Sequence, residues 1–230
     1  MFLTKMPLNP RRRGARKLLS SPQAMHAAVL AGFADARPTE EGRVLWRLDT
    51  YNQHRIVLYV ASPDKPDFSH VAEQAGWPTT EAWDVRALDG LLDSLRNGQR
   101  WQFRLTANPV RSARRDGWRE TKPLAHVTVA QQQQWLLDRT DRLGFRITDT
   151  EHRAPEGEDG PPDLAVVDRE THRFQRNGHR VTVSTATFQG QLEVTDPEAL
   201  RTTLTFGVGR AKAYGCGLLT LAKPAAQGRP

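Results

Sequence analysis

The chain has 230 residues, with 33 Lys and Arg against 26 Asp and Glu, and a formal net charge of +7 at pH 7. This length suits one larger domain or two of about 100 residues each. One cysteine, Cys216, excludes an internal disulfide and a zinc site built from paired cysteines. No apolar run is long enough for a membrane helix and no signal peptide is evident, so we expect a cytosolic protein without a membrane partner.

The first half is predicted to run strand, helix, strand, strand, helix, strand. The strands are expected at 2–8, 44–49, 55–62 and 99–107, and the second helix at 88–95. Residues 9–17 are predicted to form a strongly basic loop. Ser21 and Pro22 mark the start of the first helix, because serine caps a helix well and proline is tolerated in its first turn.

The second half approximately repeats that order. Thr128 is the expected cap of a helix that ends at Gly144, and a helix is expected at 197–204. The Asn177-Gly178 pair between extended runs is typical of a hairpin turn. Strands are predicted at 145–148, 164–167, 172–174, 181–187, 189–194 and 217–221, with an exposed acidic loop at 156–162. The predicted fold is α+β, with two tandem ferredoxin-like (RRM-like) domains at 1–109 and 122–230 joined by a basic linker at 110–121.

A glycine-rich segment, GVGRAKAYGCGLL at 207–219, precedes the last predicted strand. Glycine lets a backbone press its amides against a phosphate. The spacing matches neither a nucleoside triphosphate P-loop nor the dinucleotide fingerprint. From the segment alone, a tight turn before a buried strand is the favoured interpretation.

Cationic side chains cluster in several places along the chain. Guanidinium groups suit phosphates and guanine edges, so nucleic acid is the leading class of partner, although each cluster alone reads as ordinary surface charge. An arginine-bearing hairpin favours a structured RNA over an unpaired strand. The candidate RNA-binding residues are Arg169, Arg173, Arg176 and Arg180 in the hairpin, Arg111, Arg114 and Arg115 in the linker, and Arg210 with Lys212 in the glycine-rich segment.

Six short motifs occur in an order that is similar to one known family. They are FLTKMPLNP at 2–10, Ser21-Pro22 followed by Met25-His26, LWRL at 45–48, FRLTANP at 103–109, FQGQLEV at 188–194 and the glycine-rich segment. The chain resembles the CasE-type CRISPR-associated endoribonucleases of type I-E systems. The resemblance implies two ferredoxin-like domains, binding of the repeat stem-loop, and metal-free cleavage of precursor CRISPR RNA at the 3′ base of the stem. It also implies products with a 2′,3′-cyclic phosphate and a 5′-OH, and retention as a subunit of the surveillance complex.

The resemblance places the catalytic histidine at His26. RNA carries its own nucleophile, the 2′-OH, and a histidine titrating near neutrality suits either proton transfer. His26 is therefore predicted to be the acid for the 5′-oxygen or the base for the 2′-OH. Without the resemblance, a lone histidine on an alanine-rich helix would read as structural.

Two positions depart from relatives that place a tyrosine three residues before the histidine and a lysine five after it. Here they are Gln23 and Ala31. The residues whose chemistry could replace this tyrosine and lysine are Lys5, Lys17 and Tyr214, and also Arg16 and Lys212.

Three other functions remain open from the sequence. A stem-loop-binding subunit without activity shares every basic cluster and differs only at His26. A DNA-binding regulator lacks a convincing helix-turn-helix. A metal nuclease lacks a convincing carboxylate cluster, and the seven histidines show no ligand spacing, so neither metal nor cofactor is predicted.

Overall fold

The computed structural model describes residues 1–78, 83–113, 121–150, 160–176 and 179–224. The predicted acidic loop, the Asn177-Gly178 turn, Arg114 and Arg115 lie wholly or largely outside these ranges. No helix within them is long and apolar enough to span a bilayer.

The first domain is an antiparallel sheet with helices on one face. Its sheet has the order β2-β3-β1-β4. Met6 and Leu8 of the first strand are fully buried and pack against Met25 and Val29 of the second helix. The elements are β1 (Phe2–Leu8), α1 (Arg13–Leu19), α2 (Pro22–Leu30), β2 (Leu45–Asn52), β3 (Arg55–Ser62), α3 (Ser69–Ala75) and β4 (Asp84–Ala87), followed by α4 (Asp89–Ser94).

The second domain repeats this plan with a longer hairpin. Its main sheet has the order β11-β5-β10-β8, and β9 pairs with β10, while β6 and β7 form a separate ribbon. Both sheets follow the β-α-β-β-α-β order, so the predicted fold of two tandem ferredoxin-like domains is confirmed. The elements are β5 (Arg100–Ala107), β6 (Val110–Ala113), β7 (Lys122–Ala125), α5 (Val129–Leu137), α6 (Thr140–Leu143), β8 (Phe145–Ile147), β9 (Leu164–Arg176), β10 (His179–Val194), α7 (Pro197–Phe206), a 3₁₀ helix (Lys212–Tyr214) and β11 (Leu219–Ala222).

The strand predicted to close the first domain belongs to the second. β5 pairs with β10 and β11, and the first sheet is closed instead by the short β4. The sheets therefore divide the chain between Ala87 and Arg100, and the limits 1–109 and 122–230 do not follow this division. The linker predicted at 110–121 contains β6 of the ribbon. β4 escaped prediction because it has only four residues and most of them are exposed.

The basic loop predicted at 9–17 is wrong over most of its length. Residues from Arg13 form α1, with Ala15 and Leu18 buried three positions apart on one face. Apolar residues three apart lie on the same side of a helix, and Arg, Lys, Ala and Leu are strong helix formers. The density of positive charge obscures this spacing in the sequence.

The helix predicted from Thr128 to Gly144 is two helices. Thr128 caps α5 through a capping box with Gln131, as its position indicated. The helix is interrupted at Asp138 and Arg139. There the Arg139 guanidinium lies 4.5 Å from the centre of the Trp135 ring and donates a hydrogen bond to the Trp135 carbonyl.

The predicted short strands at 164–167, 172–174, 181–187 and 189–194 are two long ones. β9 has 13 residues and β10 has 16, and they pair in register up to a bulge at Thr187. Polar residues on both faces of the outer half broke the pattern in the sequence. Cross-strand hydrogen bonds hold this exposed half in extended form.

The two domains meet through an apolar layer that surrounds an ion cluster. Leu45 of β2 lies in the same buried cluster as Leu105 of β5 and Leu218. Arg47 is 2% exposed and donates to both carboxylate oxygens of Asp49, to the carbonyls of Arg104 and Leu218, and to Thr220. The Arg104 guanidinium also donates to Asp49 at 3.0 Å. The buried charges are paired across the interface, which fixes how the domains sit on each other.

Candidate nuclease site

His26 lies in the second turn of α2, beside its buried face. Ser21 caps the helix by accepting a hydrogen bond from the Ala24 amide at 3.2 Å, and Pro22 occupies the first turn. Met25 and Val29 point into the core, so the neighbouring His26 is half-buried at the edge of the packed surface. The serine and proline signal thus fixes both the helix start and the position of the histidine.

Trp46 of β2 holds the imidazole of His26. Its indole N–H donates to Nδ1 of His26 at 3.2 Å, and the indole is 2% exposed. An indole N–H only donates, so Nδ1 keeps its lone pair and the neutral ring carries its proton on Nε2. This contact was missed from the sequence, where LWRL served only as a family motif.

The glycine-rich segment packs directly on that tryptophan. Gly215 has φ of +81°, and a Cβ there would lie 2.8 Å from the Trp46 ring. Only glycine fits both the left-handed backbone and the close approach. The segment therefore stabilises the tryptophan that holds His26, and the tight turn expected before the last strand is what the structure contains.

A cleft opens between the domains next to Trp46. The wall from the first domain is mostly apolar and includes Pro22, Met25 and Trp46, whereas the wall from the second carries Glu170 and His172 of β9. His172 Nε2 lies 3.0 Å from Glu170 Oε2, and this hydrogen bond lowers the pKa of the Glu170 carboxyl. The cleft thus joins an apolar wall to a polar wall able to exchange protons.

Tyr214 also lines the cleft, whereas Lys212 turns back on its own loop. The Tyr214 ring meets Phe174 of β9 edge to face at 4.9 Å between centroids. The Lys212 ammonium donates to the Gly209 carbonyl at 2.6 Å, and burial followed by the charge of Arg43 lowers its pKa. Of the substitutes chosen by chemistry, Tyr214 is the one that the structure places in the cleft.

The predicted hairpin arginines share one side of the hairpin. Alternate residues of a strand face the same side, so Arg169 and Arg173 lie on one side of β9. Thr182 of β10 pairs with Arg173, and Arg180 is two residues from Thr182, so Arg180 lies on that side as well. All three are exposed. Glu170 and His172 face the other side, toward the cleft. The side chain of Arg176 lies outside the described residues.

The other candidates are dispersed. Arg111 is exposed on β6, Arg210 is exposed in the glycine-rich segment, and Lys17 is exposed near the end of α1. Lys5 lies between the buried Thr4 and Met6 of β1, so it faces away from the helices that cover the sheet. The structure does not bring Lys5 together with His26. Within the described ranges, no three His, Cys, Asp or Glu side chains are grouped so that they could hold a metal ion.

Comparison with known proteins places these features in a family. Residues 1–223 match the model of a family described as CRISPR associated protein. The CRISPR-associated endoribonuclease Cse3 of Thermus thermophilus is 36% identical, over 96% of this chain and 100% of that protein.

Solved structures give the same result. Thermus thermophilus Cse3 bound to an RNA representing a pre-cleavage complex superposes with a TM-score of 0.76 at 32% identity, over 96% of this chain and 98% of that one. A Cse3 bound to a 19-nucleotide RNA has a TM-score of 0.77 at 31% identity, again over 96% and 98%. Cas6e of Escherichia coli has a TM-score of 0.66 at 21% identity, over 97% and 100%, and shares the fold.

Proposed function

This chain belongs to the CRISPR-associated protein family, and from that premise we propose that it is an endoribonuclease that processes CRISPR RNA. The observation that carries the proposal is the position of His26. Its ring is held by Trp46 beside a cleft whose far wall is the strand that bears the basic hairpin. A relative named as an endoribonuclease, and solved with RNA, covers nearly the same length.

The proposed substrate is the stem-loop of the repeat in precursor CRISPR RNA. The arginines on one side of the hairpin offer guanidinium groups to the phosphates of a duplex stem, an interaction that weakens as salt rises. The cut falls at the 3′ base of the stem. Arg173 and Arg180 are the described residues best placed to bind, because both are exposed on the projecting half of the hairpin.

The proposed reaction is a transesterification that needs no metal. The 2′-oxygen attacks the adjacent phosphorus, the bond to the 5′-oxygen breaks, and the products end in a 2′,3′-cyclic phosphate and a 5′-OH. His26 in its imidazolium form supplies the proton that the 5′-oxygen takes up. In the neutral ring the lone pair on Nδ1 already accepts from Trp46 and Nε2 carries the proton, so the ring presents no lone pair to the 2′-OH and we assign His26 as the acid.

The protein then retains the cleaved stem-loop and joins the surveillance complex as a subunit. This part of the proposal rests on the family. We place the protein in the cytoplasm, where the precursor CRISPR RNA is available. The alternative is a subunit that binds the stem-loop without cutting it, and the two differ only in chemistry.

One cleavage assay separates these alternatives. The purified protein is incubated with the repeat stem-loop in EDTA, beside an RNA with a single 2′-deoxy substitution at the cut site. We expect cleavage of the first RNA only, with equal binding of both. Binding of both without cleavage of either would support the non-catalytic subunit.

A further inference from the structure

A second histidine stands across the cleft from the helix that bears His26. His172 is 30% exposed and lines the cleft together with Glu170 and Thr185. Because residues two apart on a strand share a face, Phe174 projects to the same side and meets Tyr214 of the 3₁₀ helix.

A chain of packing contacts connects this strand to His26. After Tyr214 comes Gly215, which packs on the Trp46 ring, and Trp46 in turn donates to His26. The strand of His172 and the helix of His26 are thus tied to the same short segment. Their relative position is fixed by packing and does not depend on a loop tip.

Hydrogen bonds give the two neutral rings opposite tautomers. A carboxylate only accepts, so the Nε2 of His172 that meets Glu170 carries the proton and its Nδ1 keeps a lone pair. At His26 the indole of Trp46 donates to Nδ1, so the proton is on Nε2. Neutral His172 offers a lone pair, as a base must, and the N–H on Nε2 of His26 becomes an acid when its ring is protonated. Strand-breaking transesterification requires both kinds of group.

From this geometry we infer that His172 is the general base that removes the proton of the attacking 2′-OH, and that Glu170 positions its ring. The inference rests on the proposed function and completes it. Nδ1 of His172 takes the proton as the bond from the 2′-oxygen to phosphorus forms. The electron pair of the breaking bond leaves on the 5′-oxygen, which takes a proton from the imidazolium of His26. One proton is accepted and one is given, so no further reactant is needed.

Several charged or titratable groups face the cleft together with His172. Asp168 and Glu170 face the cleft from its own strand, Arg104 from β5 and Tyr214 from the 3₁₀ helix, while the lining side chains from the first domain are uncharged. Arg104 is already engaged by Asp49. Two carboxylates, those of Asp168 and Glu170, thus share the cleft with His172. The proposed step needs a neutral His172 and a protonated His26 at the same time. The cleavage rate should therefore follow a bell-shaped curve against pH.

The test is the single-turnover rate of the full chain on the repeat stem-loop in EDTA, at saturating protein, from about pH 5 to 9. For His172→Gln we expect a fall of about 100-fold or more and loss of the acid limb of the profile. Affinity for the 2′-deoxy RNA should stay within about two-fold. His54→Gln is the matched control, since His54 is exposed in the turn between β2 and β3.

Glu170→Gln keeps the test decisive if His172→Gln does not fold. Without the carboxylate the His172 ring loses the charged acceptor that orients it, so the saturated cleavage rate should fall by less than in His172→Gln, while affinity for the 2′-deoxy RNA stays within about two-fold. Wild-type rates and an unchanged profile in both variants would overturn the inference while leaving the proposed function intact. An inactive wild-type protein would instead overturn the proposed function, and with it the role of His172.

Discussion

Trp46 and Arg47 are neighbours in sequence, yet they serve two different regions between the domains. Arg47 points to the ion cluster, where its guanidinium is 2% exposed and bonded on every side. Trp46 points the other way, to the cleft, where its one N–H fixes the ring of His26. Alternation along β2 therefore directs one side chain to the contact between the domains and the next to the proposed nuclease site.

The difference lies in what each region leaves for a substrate. In the ion cluster, the buried carboxylate of Asp49 is shared between Arg47 and Arg104. Trp46, which lines the cleft, orients the neighbouring His26, and Glu170 orients His172 inside the cleft, each through one nitrogen of a two-nitrogen ring. Charges in a closed cluster stabilise an arrangement, whereas oriented imidazoles can exchange protons.

Replacing His26 should have the largest effect. His26→Ala should lower the single-turnover cleavage rate by about 100-fold to 10,000-fold, because it removes the acid that we propose for the leaving oxygen. Binding of the stem-loop should be retained, as measured by filter retention. His54→Ala serves as the exposed control, and cleavage by His26→Ala at the wild-type rate would remove His26 from the mechanism.

Replacing the buried carboxylate should act on stability first. Asp49→Asn leaves the Arg47 charge buried without its counter-ion, and we expect a loss of about 3 kcal/mol in the free energy of unfolding. Urea denaturation measures it, with Asp64→Asn, which removes an exposed carboxylate, as control. If both variants unfold at the same urea concentration, the ion cluster does not hold the domains together.

The hairpin arginines should change affinity and leave chemistry alone. Arg173→Ala with Arg180→Ala should weaken binding and reduce the slope of log affinity against log salt by about 1 for each phosphate that is no longer neutralised. The saturated cleavage rate should stay unchanged. Arg37→Ala, at an exposed arginine paired with Asp35, is the control. An unchanged slope would place the RNA elsewhere.

The smallest effect is expected at the tryptophan that orients His26. Trp46→Phe keeps an aromatic ring but removes the N–H donated to His26. That hydrogen bond favours the neutral imidazole, so its removal should favour the imidazolium and extend cleavage to higher pH by less than about one unit. The pH dependence of the rate measures this shift. A shift to lower pH would contradict the assignment of His26 as acid.

How much of this could be predicted differs between the regions. The position of His26 on its helix followed from the Ser21-Pro22 signal, and the motif order identified the family. The ion cluster left no local signal, because Arg47 reaches partners 57 and 171 residues away. The pairing of β5 with β10 and β11 was missed for the same reason, since strand partners are set by packing across the whole chain.

The hairpin shows the same limit within one element. In the sequence, Arg169, His172 and Arg173 form one basic cluster. The extended register separates them, with the arginines on one side and the histidine on the side of the cleft. Residue types can be read from the sequence, but the strand decides which of them face the cleft.

The central claim is metal-free transesterification at this cleft, and the ends of the RNA fragments test it most directly. The repeat stem-loop is cleaved in EDTA and both fragments are weighed by mass spectrometry. We predict a 2′,3′-cyclic phosphate on the upstream fragment and a 5′-OH on the downstream one. A 3′-OH with a 5′-phosphate, or cleavage only after a divalent cation is added, would contradict the account.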